Sequence, residues 1–347
     1  MLNIGIIGCG KITQVRHAPE YQENPNCRLA GFYDFDLQRA RQMAALYGGA
    51  AYDSLDALLD SGLDAVSVCT PNATHAENAI RALEKGLHVL CEKPMATTLE
   101  DCQRMVQAAR SAGKILMLGH NQRLAKAHVA GRQLIASGQL GRVLAFHTTF
   151  GHPGPEGWTG ERNSWFFDKR RAAFGAMADL GIHKTDLIHF LLGEPIVRVQ
   201  AALCTLDKKY PDGSPIAVDD NAYCLYTTRS GVMGAMHVSW TFYGQEDNST
   251  RIYGTQGILR LYDDPQYSLI LEKPDGQVER RALDLLTSNK EQTSGGRTST
   301  GIVDAFVHSI LTGQCPPVDG EEALKAMRVV FAAQRAALTG QAVDVDQ

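Results

Sequence analysis

The sequence predicts an α/β protein, with a doubly wound parallel sheet in its first 122 residues and a larger, mostly antiparallel open sheet with flanking helices in residues 123–347. Three observations carry this. Over the first part, short apolar runs alternate with helical segments, the pattern of strands joined by right-handed crossovers. The first run ends in a glycine turn, Gly8-Cys9-Gly10. Beyond residue 123 strand-like runs follow one another, separated by the turn signals Arg229-Ser-Gly231, Gly254-Thr-Gln-Gly257 and Lys273-Pro-Asp-Gly276, which join neighbours as hairpins.

Composition narrows the function classes. Of 347 residues 44% are hydrophobic and 21% charged, ordinary for a globular chain with two cores. The net charge is -4 and no dense Lys/Arg run occurs, so the footprint expected for nucleic acid or an anionic membrane is missing and a small-molecule partner is favoured. No apolar run approaches the ~20 residues of a membrane span, and Met1-Leu2-Asn3-Ile4 lacks the basic start of a secretory leader, so a cytoplasmic location is expected. The eight cysteines stand without C-x-x-C spacing, which fits reduced core thiols and predicts no metal site.

Taken in order, Leu2 to Ile7 reads as a central strand, and Gly8-Cys-Gly-Lys11-Ile12-Thr13 as a dinucleotide turn or an ordinary glycine turn. In the first reading Gly8 makes the tight bend, and Gly10 lets a pyrophosphate approach the N–H groups of Lys11 and Ile12 at a helix N-terminus. Thr13 replaces the usual third Gly or Ala. Cys27 to Tyr33 is the next strand, and Asp34 at its end has nearly the spacing of a carboxylate that binds the adenosine ribose; a plain turn Asp is the alternative. Leu37 to Tyr47 is helical, Ser54 caps a short helix, and Ala65 to Cys69 is a strand ending in Thr70-Pro71-Asn72. Thr74-His75-Ala-Glu77 and Thr97-Thr-Leu-Glu100 have capping-box spacing and start two further helices. Ile115 to Gly119 closes this domain.

In the second part, strands are expected at 143–150, 197–204, 222–228 and 232–240, and helices at 302–311 and about 321–338. Gly151 to Arg162, with His152 and Trp158, and Thr287 to Thr300 read as loops, either of which could act as a lid.

Two stretches carry candidate chemistry. Leu87 to Pro94 is a buried strand running into Glu92-Lys93-Pro94, which places Lys93 at a carboxyl end, where parallel sheets bind ligands; a surface lysine in a turn is the bland alternative. In Gly175 to Leu191, helical spacing puts Asp179, His183 and Asp186 on one stripe. Such a stripe could be a solvated face, a metal site or an acid/base pair in a cleft, and the apolar residues around it favour the cleft.

Together Gly8-Cys-Gly10, Thr70-Pro71-Asn72, Glu92-Lys93-Pro94 and Asp179-x-Gly181-x-His183-x-x-Asp186 resemble the glucose-fructose oxidoreductase/inositol dehydrogenase (Gfo/Idh/MocA) family over nearly the whole chain. The resemblance implies a Rossmann domain followed by an α/β domain with an open sheet, a nicotinamide cofactor, and oxidation or reduction of a sugar, inositol or related polyol. It implies that Lys93, Asp179 and His183 are the catalytic set. The cofactor set expected is Gly8, Gly10, Lys11, Ile12, Asp34, Thr70, Pro71, Asn72, His75, Glu92 and Lys93; Arg123, His152 and Trp158 are expected substrate contacts, beside the catalytic residues. NAD is expected over NADP, because Asp34 would meet the 2′-phosphate with a carboxylate and Phe35 to Gln38 offer no Arg. A homodimer or tetramer through the C-terminal sheet is expected. Two alternatives share this framework: an NAD-dependent glycosidase that oxidises its sugar transiently, and a non-catalytic nucleotide sensor.

Overall fold

The computed structural model describes residues 1–160, 164–286 and 299–346. The chain divides into two compact units, Met1–Asn121 with Lys290–Leu324, and Gln122–Asn289 with Lys325–Gln347. The first division falls beside the one read from the sequence. The return of the chain to the first unit late in its course has no counterpart in a single cut at 122, because nothing local in a helix shows which sheet it covers.

The first unit is a six-stranded parallel sheet of β1 (Leu2–Ile7), β2 (Cys27–Tyr33), β3 (Ala50–Tyr52), β4 (Ala65–Val68), β5 (His88–Cys91) and β6 (Leu116–Leu118). Their order is β3-β2-β1-β4-β5-β6, so the chain turns away on opposite sides of β1 and leaves a switch point between β1 and β4. Ile4, Ile6, Ile7, Val66, Val68, Val89 and Leu90 are wholly buried, as strands covered on both faces require. Leu37–Tyr47 is the helix expected, capped by the Asp36 carboxylate, and Ser54 caps Leu55–Leu59. The two capping boxes form differently. Thr98 accepts from the Asp101 N–H, one residue later than expected, and Thr74 donates instead to Thr70 Oγ1 and the Pro71 carbonyl beside a short 3-10 turn over Asn72–Thr74. β3 has no counterpart in the sequence reading: Ala50–Tyr52 is three residues with little burial contrast, too short to show a period.

The second unit is a nine-stranded sheet in the order β14-β13-β12-β11-β7-β10-β9-β8-β15. Its strands are β7 (Val143–Gly151), β8 (Ile196–Cys204), β9 (Asn221–Thr228), β10 (Met233–Ser239), β11 (Thr250–Gly254), β12 (Gly257–Leu261), β13 (Leu269–Glu272), β14 (Val278–Arg281) and β15 (Val343–Asp344). All neighbours are antiparallel except β7 and β10. The three turn signals join β9 to β10, β11 to β12 and β13 to β14 as expected. Lys126–Ala136 and Ile182–Leu192 are its longer helices before β8. The expected loop at Gly151 to Arg162 contains the short helix Pro155–Thr159, started by a proline. The other candidate lid, Thr287 to Thr300, lies outside the described residues except for its last two.

Candidate active site

In the first unit four motifs stand at the carboxyl ends of neighbouring strands: the glycine turn after β1, Asp34 after β2, Thr70-Pro71-Asn72 after β4 and Glu92-Lys93-Pro94 after β5. Gly8 has φ +94°, and a Cβ there would stand 2.8 Å from the Cys69 carbonyl carbon and oxygen, so both conformation and space demand glycine. At Gly10 a Cβ would meet no atom of the protein within 4 Å. Its bareness serves nothing in the packing and leaves the backbone N–H face open, as a pyrophosphate cradle at a helix start requires. Thr13 is wholly buried and donates to the Gly8 carbonyl at 2.6 Å, so the departure from Gly or Ala pins the turn from inside.

Asp34 is buried and fixed. One carboxylate oxygen accepts the Cys9 N–H at 2.7 Å and the other the Asp36 N–H at 2.9 Å, which holds a negative charge against the glycine turn. Arg39, the nearest basic side chain, pairs with Asp36 at 3.5 Å. These residues fit a dinucleotide with free ribose hydroxyls: an open N–H face beside a fixed carboxylate.

His75 begins the helix after β4, and its Nδ1 and Nε2 each stand 2.8 Å from a carbonyl oxygen, that of Pro94 and that of Thr70. It therefore ties the β4 and β5 termini together. Burial lowers its pKa, against the two carbonyls that favour a proton on each nitrogen. Thr70 Oγ1 also accepts from Asn78 at 3.3 Å. Asn72 is buried in its 3-10 turn. The Lys93–Pro94 peptide is cis, and the Lys93 N–H donates to Glu92 Oε2 at 3.2 Å. Gly119 lies against that carboxylate, where a Cβ would come within 3.1 Å of Oε2.

In the second unit the candidate residues ride on one continuous helical run. It starts as a π turn over Met177–Gly181 and continues as Ile182–Leu192. Asp219 anchors its start: its carboxylate accepts from the Gly175 and Met177 N–H groups, both at 2.8 Å, and its carbonyl accepts from Ala176. A Cβ on Gly175 would fall 1.7 Å from that carbonyl, so no other residue fits. Asp179 Oδ2 accepts from the Trp240 indole N–H at 3.0 Å. Trp240 is itself fully buried, with Phe166 edge-on to it and Phe167 beside it. The His183 ring stands 6.1 Å from Phe150, and the His152 ring stands 5.8 Å from the same Phe150. His152 is buried, and its Nδ1 accepts from the Gly154 N–H at 3.0 Å.

The three polar residues expected on one stripe all lie on this run, Asp179 in its π turn and His183 and Asp186 in its α part, and Asp179 and Asp186 meet different partners. Arg123, expected as a substrate contact, gives two nitrogens to Asp186, each at 2.7 Å, in a pair buried at both ends. Lys184 is wholly buried beside His183 and donates to the Asn248 carbonyl at 2.9 Å; burial pushes its pKa down to about 7 against the pull of Asp247 and Glu246. Thr185 meets the Tyr226 hydroxyl at 3.0 Å. A helix buried on every side rules out the solvated-face reading. Among the described residues no cluster of three His, Cys, Asp or Glu could hold a metal. The backbone of Trp158 lies in Pro155–Thr159, and its side chain is outside the described set. Trp240 and Asp219 escaped the sequence reading, because their partners lie some forty to sixty residues away in the chain.

Comparison with known proteins agrees with this geometry. A 1,5-anhydro-D-fructose reductase of Ensifer adhaerens is 32% identical over 307 residues, 86% of this chain and 85% of its own. A myo-inositol 2-dehydrogenase of Thermotoga maritima is 24% identical over all of this chain and 99% of its own. An aldose-aldose oxidoreductase of Caulobacter crescentus, solved with glycerol, superposes with a TM-score of 0.83 at 27% identity, covering 99% of both chains. Residues 2–120 match the model of the oxidoreductase family with an NAD-binding Rossmann fold and residues 128–260 match the GFO/IDH/MocA C-terminal domain, so the chain belongs to the Gfo/Idh/MocA oxidoreductases.

Proposed function

We propose that this protein is an NAD-dependent dehydrogenase acting on a secondary alcohol or ketone of a sugar, inositol or related polyol, with His183 as the proton-transfer group, Lys93 as the electrostatic stabiliser and Asp179 as the orienting carboxylate. The observation that carries it is the fixed Asp34 beside an open glycine turn in the first unit; the second unit, taken by itself, supports it with a buried helical run that bears Asp179 and His183. Oxidising a secondary alcohol removes a hydride from carbon and a proton from oxygen, and NAD supplies the hydride acceptor when bound. The chain must deal with the proton and the charge. His183 takes the hydroxyl proton as a neutral imidazole and returns it in the reverse direction. The Lys93 ammonium donates a hydrogen bond to the reacting oxygen as negative charge builds there. Asp179, held by Trp240, fixes the imidazole or a neighbouring hydroxyl.

Gly8, Gly10, Lys11, Ile12 and Asp34 would hold the dinucleotide, with Thr70, Pro71, Asn72, His75 and Glu92 shaping the wall on the other side of the switch point. We place the protein in the cytoplasm, where its eight free cysteines stay reduced. We also propose self-association through the second sheet, whose open face exposes Tyr223, Leu225 and Met233 on adjacent strands. Leu225→Glu should then lower the sedimentation coefficient, and an unchanged value would remove this face from the interface.

The pH profile of oxidation tests the assignment of roles. Activity should rise with pH as His183 loses its proton, and His183→Ala should abolish most activity and flatten that limb. A limb that survives in His183→Ala and vanishes in Lys93→Met would exchange the two roles.

A further inference from the structure

Behind Lys93 the first unit buries a run of polar groups that the mechanism above does not use. His17, wholly buried at the end of a π turn over Thr13–His17, places Nε2 2.8 Å from Glu92 Oε1 and Nδ1 3.2 Å from Ser67 Oγ. The Tyr21 hydroxyl stands 2.8 Å from the same Ser67 oxygen. Arg16 approaches Glu92 Oε1 at 4.0 Å, and Glu92 Oε2 accepts the Lys93 N–H.

The protons in this chain can be assigned. Burial works against charge on Glu92, but the His17 hydrogen bond and charge, then Arg16 and Lys93, outweigh it and hold the carboxyl down at about 2. An ionised carboxylate only accepts, so Nε2 must carry a proton. Burial likewise opposes charge on the ring, and the Cys69 sulfur together with Glu92 lifts His17 to about 10. The groups facing the ring are thus Glu92 just after β5, Ser67 in β4 and Cys69 just after it, with the Tyr21 hydroxyl behind Ser67.

Resting on the reading of Lys93 as the stabiliser, we propose that His17 is a positioning residue for it: as an imidazolium, His17 neutralises Glu92 and fixes the carboxylate that holds the Lys93 backbone. The Glu92 charge is then met chiefly by His17 and Arg16, which weakens its pull on the Lys93 ammonium. A buried carboxylate deprived of the imidazolium leans harder on its remaining cations, Arg16 and Lys93.

The test needs no substrate. Trinitrobenzenesulfonate reacts with unprotonated amines, and its rate at Lys93 can be read by peptide mass spectrometry of the full-length protein at fixed pH. In His17→Gln, Glu92 should lean harder on Lys93, hold it as ammonium and slow labelling roughly tenfold, the effect of one pH unit. His17→Gln/Glu92→Gln should restore most of the rate. Loosening of structure alone would accelerate labelling, so the sign separates positioning from mere support. Wild-type far-UV and near-UV circular dichroism spectra confirm that a variant is folded. If His17→Gln does not fold, the ring is read directly: the ¹⁵N spectrum of labelled histidine should show protons on both nitrogens of His17 at neutral pH, and on one in Glu92→Gln. Wild-type or faster labelling in folded His17→Gln, or a singly protonated ring in the wild type, would overturn the proposal. Activity surviving in Lys93→Met would instead overturn the catalytic reading and leave both measurements intact.

Discussion

Trp240 meets Asp179 through one hydrogen. Its indole N–H, at 3.0 Å from Asp179 Oδ2, helps to orient that carboxylate, and the rest of the ring packs among Phe166 and Phe167. Trp240→Phe keeps an aromatic body while deleting the donor. It should lower kcat about tenfold, the loss expected for one orienting hydrogen bond, with a smaller change in cofactor affinity, as steady-state kinetics with NAD varied would show. A change confined to the KM for NAD would mean that Asp179 does not work on the reacting group. This partnership was invisible in the sequence, since the two residues are 61 apart and no local pattern joins them. Asp179 and His183 could be proposed as a pair because helical spacing is a local signal.

At the level of elements, the buried helix Ile182–Leu192 is fastened to its unit by Arg123–Asp186, a two-pronged pair with both side chains nearly inaccessible. Removing the guanidinium takes two short hydrogen bonds and the opposing charge from a buried carboxylate, so Arg123→Met should cost about 3–5 kcal/mol by urea unfolding. Arg123→Met/Asp186→Leu should recover most of that loss, since two apolar side chains leave no orphaned charge. A single variant as stable as the wild type would show that the pair is not structural. Arg123 was expected as a substrate contact; its pairing with a residue 63 positions on could not be read from spacing. The hairpins, by contrast, were legible throughout. Arg229-Ser-Gly231 and its two counterparts specify their turns locally, and the strand alternation around them sets the register. The π turns at Thr13–His17 and Met177–Gly181 escaped notice, because one extra residue in a helical turn leaves a periodic pattern almost unchanged.

At the scale of the whole molecule, the His17–Glu92 pair couples folding to pH. Glu92 is held at about 2 against an ordinary 4.5, so its stabilisation is complete above 4.5 and is lost as pH falls through 2. His17 is raised from 6.5 to about 10, so its stabilisation is complete below 6.5 and is lost as pH rises through 10. The two shifts share the His17–Glu92 contact, to which Cys69 adds on the His17 side and Arg16 and Lys93 on the Glu92 side. Urea midpoints should therefore lose less between neutral and alkaline pH in His17→Gln/Glu92→Gln than in the wild type; identical pH profiles for the two would contradict the charged pair.

The fold as a whole also sets cofactor choice. Asp34 is fixed against the glycine turn, and Arg39, the nearest cation, is drawn to Asp36. Asp34→Ala should weaken NAD, relieve repulsion of the 2′-phosphate and so narrow the preference over NADP. The measurement that tests the account most directly is a spectrophotometric screen of sugars, inositols and their keto forms with NAD and with NADP, comparing the wild type with Lys93→Met. The account predicts net formation or consumption of reduced cofactor with at least one secondary alcohol or ketone of this class, NAD favoured in kcat/KM, and kcat lower by ~10² or more in Lys93→Met while NADH binding is retained. Glycoside cleavage without net cofactor turnover, or turnover undiminished in Lys93→Met, would contradict it.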